Sequence, residues 1–155
     1  MNMSDSIELR PFRYRNVVIP HIYFDDAGAA IEFYAKAFGA KQLGEGTFIK
    51  DDKGMIVHAE IVFYGTTLML SDVTNAAIYG SPQHVGTTSV SLHFFVDDTQ
   101  PVFDRAIAAG CVEVKPVTKL DYGATTGVVR DPFSHVWAIL SKSTETMMNA
   151  GREDL

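Results

Sequence analysis

Cysteine is almost missing from this sequence: Cys111 stands alone among 155 residues, so no internal disulfide can form and folding must rest on an apolar core. Long apolar runs are missing as well. No stretch of about 18 apolar residues marks a membrane span, and no apolar leader segment marks secretion, so a cytoplasmic protein without membrane contact is expected. Basic residues are in deficit, with 13 Lys and Arg against 19 Asp and Glu and a formal net charge of -6. They are also scattered, which argues against a surface that neutralises nucleic-acid phosphates. The one basic cluster, Arg10, Arg13 and Arg15, is expected to cap or pin an N-terminal arm. What is present suits one globular domain spanning 1–155: 46% apolar residues, with Phe 10 and Tyr 6 providing bulk for a core. Cys111, set in an apolar stretch after Gly110, reads as a buried, inert thiol.

The chain repeats itself. Residues 18–26 (VIPHIYFDD) align without a gap on residues 90–98 (VSLHFFVDD), an offset of 72 residues that superposes His21 on His93. Each segment is a β-rich run closed by two aspartates, then a helix-period stretch, Ala27–Phe38 in the first copy and Thr99–Ala109 in the second. Asp26 and Asp98 are suited to N-cap those helices, and Gly39 and Gly110 to end them. Strand-like runs follow at 41–49, 55–63 and 67–71, then at 112–117, 123–130 and 136–141, with 73–87 as a polar linker. The expected class is therefore α+β, two βαβββ modules at about 17–72 and 88–141. One such sheet has an apolar face and a single helix to cover it, so two modules are expected to pack side by side around a cleft. On that expectation His21 faces His93.

The phrases AIEFY (30–34), AFGA (37–40), HAE (58–60) and DPFSH (131–135), in this order within paired βαβββ modules, resemble the vicinal oxygen chelate superfamily of glyoxalases, bleomycin-resistance proteins and ring-cleaving dioxygenases. The likeness is nearer to its PhnB-like branch and covers residues 17–140. It implies a small organic ligand, a homodimer, and in some members a divalent metal held by four donors. Carried over position by position, those donors fall on Ile19, Ser91, Glu60 and Ala138, so one position of the four bears a metal ligand. The branch's usual acidic residue and arginine in the second module are replaced by DYGAT (121–125).

The residues suggest a displaced alternative. His21 and His93 lie two positions beyond Ile19 and Ser91, and strand alternation keeps i and i+2 on one face. With Glu60 they form a two-histidine, one-carboxylate set that suits Fe, Mn, Ni or Zn. The plainer alternative has both histidines binding ligand or hydrogen-bonding a neighbour without metal. His58 shares a face with Glu60 and is read either as its acid-base partner or as a strand-stabilising hydrogen-bond partner. Tyr23, Phe95, Tyr122 and Trp137 are candidate aromatic walls for a ligand, and His135 a turn anchor. Two functions stay open: a metal-dependent lyase, isomerase or dioxygenase, and a metal-free binding protein that sequesters its ligand.

Overall fold

The computed structural model describes residues 18–44 and 46–142, so Arg10, Arg13, Arg15 and everything after Lys142 lie outside the described residues. Two compact units meet in the sequence between Val85 and Gly86. In the first, β1 (His21–Phe24), α1 (Ala27–Phe38), β2 (Lys41–Gln42), β3 (Phe48–Lys50), β4 (Ile56–Phe63) and β5 (Thr66–Asp72) precede a short helical turn, α2 (Pro82–Val85). In the second, β6 (Ser91–Phe95), α3 (Thr99–Ala109), β7 (Val112–Lys119), β8 (Ala124–Arg130) and β9 (Val136–Lys142) repeat the βαβββ order. The first sheet runs β1-β5-β4-β2 with β3 also paired to β4, and the second runs β6-β9-β8-β7. The opening strand of each unit pairs in parallel with the last, and the remaining pairs are antiparallel.

Both helices occupy the spans that the sequence pattern predicts. Asp26 Oδ1 accepts from the Ala29 amide at 2.9 Å and Asp98 Oδ1 from the Gln100 amide at 3.2 Å, satisfying donors that an uncapped first turn would leave open. Gly39 and Gly110 close the helices with φ of 70° and 127°, values that strain a residue with a Cβ. The run expected at 41–49 is instead two short strands on either side of a turn. Gly46 sits at φ 88° and the Thr47 hydroxyl donates to the Gly44 carbonyl at 2.7 Å, so the backbone leaves the ladder between Gln42 and Phe48.

Strand alternation divides each sheet into a helix face and an open face. On the helix face of the first unit, Phe24, Ala59, Ile61, Leu68 and Leu70 are buried together with Ala30, Ile31, Tyr34 and Phe38 of α1. In the second, Phe94, Val129, Trp137 and Ile139 are buried with Phe103 and Ala106 of α3. Gly127 is essential to that packing: a Cβ there would come within 2.6 Å of the Phe103 ring. Two buried aspartates pin the elements. Asp72 accepts from the amides of Ala27 and Ile56, both at 2.7 Å, tying the start of α1 to the start of β4. Asp131 accepts from the amides of Phe133 and His135, both at 2.9 Å, and from the Trp137 indole at 2.8 Å, which fixes the β8–β9 turn.

Most of the stretch read as a linker, residues 73–85, is built onto the first unit. The Ser81 hydroxyl donates to Asp25, its oxygen accepts from the His84 amide at 3.1 Å, and Ser81 is buried. Tyr79 is thereby brought beside β1.

Candidate functional site

The open face of the first sheet gathers six side chains in two cross-strand rows. His21 pairs with Met69, and Met69 with Glu60. Tyr23 pairs with Ser71, and one more step of the β4–β5 register sets His58 opposite Ser71. The sequence reading named four of these six; Met69 and Ser71 come to light through the register, which periodicity alone does not supply.

The Ser71 hydroxyl determines the tautomer of His21. Its single proton goes to the Val57 carbonyl at 2.7 Å, so in its 2.7 Å contact with His21 Nε2 the oxygen can only accept. Nε2 therefore carries hydrogen, and Nδ1 holds the lone pair in the neutral ring. Burial, then the nearby His58 ring, lowers the pKa of His21 below its ordinary 6.5, favouring that neutral state. The two imidazoles meet edge to face, with centroids 5.9 Å apart.

Glu60 is 1% exposed, and its Oε1 lies 3.0 Å from His58 Nε2. A carboxylate can only accept, so when Glu60 is ionised Nε2 of His58 donates and Nδ1 is left as the basic nitrogen. The His58 side chain keeps 26% exposure against 2% for that of Glu60, so the imidazole is the reachable member and the carboxylate its buried orienter. A neutral imidazole oriented by a buried carboxylate is the minimal arrangement for moving a proton to or from a bound molecule.

Aromatic rings extend the same face. His21 stacks on Tyr23 at 4.9 Å, and Tyr23 on Tyr79 at 4.2 Å, with interplanar angles of 6° and 11°. Partial burial, then the hydrogen bond with Tyr79 and its proximity, push the Tyr23 phenol up to about 12, so it remains a protonated donor at neutral pH. Tyr79 escaped the sequence reading because it lies in a polar segment without periodicity. Its one signal was an aromatic residue within an otherwise linker-like composition.

The second unit presents a different set. His93 and Phe95 share the open face of its sheet with Ser91, whose hydroxyl lies 3.0 Å from His93 Nε2. The row through His93 continues to Ala138 and then Val128, so it has apolar residues where the first unit has Met69 and Glu60. Phe95 is exposed beneath the Lys142 ammonium, 5.2 Å from its ring centroid. Tyr122 is exposed at the β7–β8 turn, whereas Trp137 is 1% exposed on the helix face, its indole bonded to Asp131. His135 is buried, with its amide on Asp131. Cys111 is buried as well, and burial, then Asp131, raises its thiol to about 12, a value that keeps it protonated.

The family's four metal-donor positions were tested against this arrangement. Ile19 and Ala138 have hydrocarbon side chains, the Ser91 hydroxyl engages His93, and Glu60 is tied to His58. Those residues do not fit a four-donor centre. Among the described residues, no three His, Cys, Asp or Glu side chains converge at distances that would hold an ion.

A family model described as the Glyoxalase/Bleomycin resistance protein/Dioxygenase superfamily matches residues 16–139, and the chain belongs to that family. An uncharacterized protein of Mycobacterium bovis is 36% identical over 133 residues, 84% of this chain and 86% of its own. Among solved structures, a PhnB protein from Bacillus cereus, described as a 3-demethylubiquinone-9 3-methyltransferase, is 16% identical with a TM-score of 0.60, covering 81% of this chain and 99% of that one. The fosfomycin resistance protein FosX of Listeria monocytogenes, a variant complexed with Mn(II) and 1S,2S-dihydroxypropylphosphonic acid, is 12% identical with a TM-score of 0.61, covering 86% and 95%. At these identities the structures establish a shared fold. Among the described residues, no helix is long and apolar enough to cross a membrane.

Proposed function

We propose that the protein binds a small, flat or amphipathic organic molecule on the open face of its first sheet without a metal ion. The ligand lies against the stacked rings of His21, Tyr23 and Tyr79, and the His58–Glu60 pair contacts its polar group. The observation that carries this reading is the pair of cross-strand rows, which places the imidazoles, the buried carboxylate and the phenol on one side of one sheet. The metal-free form is supported because Ile19, Ser91 and Ala138 stand at three of the family's four donor positions, and Glu60, at the fourth, is hydrogen-bonded to His58. His58 Nδ1 would accept a proton from a bound acidic C–H or O–H group, and Glu60 would stabilise the resulting imidazolium. A homodimer, which the family resemblance implies, and a cytoplasmic location complete this reading.

A second reading has His21 and Glu60 contribute ligands to a divalent ion for lyase, isomerase or dioxygenase chemistry. It draws support from His21 and Glu60 sharing the row through Met69. A thermal-shift screen of aromatic acids, phenols and hydroxyketones in excess chelator separates the two readings. The proposal expects ligands that raise Tm with chelator present and lose the effect in Tyr23→Ala. Ligands that stabilise only when Mn or Zn is supplied would overturn it in favour of the second reading.

A further inference from the structure

The second unit contains a cavity of about 270 Å³ lined by Gly86, Thr87, Thr88, Arg130, Ser134 and Val136. That is below the roughly 300 Å³ at which pockets begin to hold drug-sized ligands, so it suits a small anion or one group of a larger molecule. We infer that this cavity is an oxyanion subsite that takes a phosphate, phosphonate or carboxylate group through Arg130. The inference concerns the second unit alone and stands independently of the site proposed on the first.

The lining is chemically one-sided. Arg130 supplies the charge, Thr87 and Ser134 supply hydroxyls, and Val136 is the single apolar side chain. Among the described residues Arg130 forms no ion pair. Its sequence neighbour Asp131 does not pair with it directly; the carboxylate oxygens of Asp131 accept from the turn amides and the Trp137 indole instead. An unpaired guanidinium is an attractive seat for an anion, since its planar fork matches two oxygens at once.

The walls are also held in place. The Arg130 backbone pairs with Val112 on one side and Val136 on the other. The turn bearing Ser134 is fixed by Asp131, with Ser134 itself at φ 69° and its amide on the Asp131 carbonyl at 3.0 Å. On the opposite wall the Thr88 hydroxyl engages the Val90 amide and carbonyl, which sets the path of the backbone past Thr87. The backbone of the walls is therefore set before an anion arrives, and binding orders only the Arg130 side chain and the hydroxyl rotors.

The test is a titration of the full chain with inorganic phosphate, followed by amide NMR at constant ionic strength with chloride as the balancing anion. Acetate is titrated in parallel. Saturable millimolar binding is expected, with the largest shifts at Thr87, Thr88 and Ser134. Arg130→Met should weaken it about tenfold or more, the loss typical of a hydrogen bond to a charged group. Ser134→Gly deletes one hydroxyl at a positive φ that glycine adopts freely, and should weaken binding about threefold with the fold intact. Saturation by phosphate but not acetate assigns the site to phosphoryl or phosphonyl groups, and saturation by both extends it to carboxylates. Shifts that rise linearly without saturating, or that are unchanged in a folded Arg130→Met protein, would overturn the inference.

Discussion

His21 illustrates how far one residue's chemistry follows from its contacts. Ser71 assigns its tautomer, and burial followed by His58 lowers its pKa from 6.5. Because the folded value lies below the unfolded one, the folded state binds fewer protons than the unfolded chain between the two. The contribution of His21 to stability is therefore complete above about 6.5 and is lost as the pH falls through the folded value. Melting temperature is expected to decline between neutral and mildly acid pH, and His21→Gln should flatten that decline. An NMR titration giving His21 a value above 6.5 would contradict the assignment. At this scale the sequence was informative for His21, His58, Glu60 and Tyr23, whose period-2 spacing placed each pair on one strand face. It was silent on Ser71, Met69, Asp72 and Tyr79, because their roles depend on which strand lies alongside and not on local pattern.

The elements were more legible than their contents. The two aspartates and two glycines that bound the helices are local signals, and both helices occupy the expected spans. Strand limits proved harder, as the division of 41–49 into β2 and β3 shows, because the turn there depends on Gly46 reaching positive φ. Trp137 shows the same limit in another form. Its aromatic character suggested a ligand wall, while the register sets it on the helix face against Phe94 at 5.8 Å. The approach of α3 to β8 at Gly127 yields a prediction at this scale. Gly127→Ala puts a methyl within 2.6 Å of Phe103, and overpacking of this kind typically costs about 1–3 kcal/mol, measurable as a lower urea midpoint. Gly127→Ala combined with Phe103→Leu should recover part of the loss. A neutral single variant would show that α3 does not rest on β8 as described.

At the scale of the whole molecule, the repeat visible between residues 18–26 and 90–98 became two βαβββ units with the same strand order, yet the two have diverged in chemistry. The first keeps histidines, a buried carboxylate and stacked rings on its open face. The second has replaced the equivalents of Met69 and Glu60 with Ala138 and Val128 and carries a guanidinium-lined cavity. Superfamily membership was legible from the ordered motifs, but function was not, since one scaffold supports both metal chemistry and plain binding. Which of these applies depends on a few side chains. Here Ile19, Ser91 and Ala138 occupy three of the four positions where the resemblance places donors.

Whether the first unit's open face works without a metal is read from the metal content per chain. The protein is purified without a metal-binding tag, then offered Fe(II), Mn(II), Ni(II) and Zn(II) in turn and analysed by elemental mass spectrometry. Metal far below one ion per chain is expected in every case, with no rise in Tm. Near-stoichiometric metal that disappears in both His21→Ala and Glu60→Gln would contradict it and establish a divalent centre on these residues.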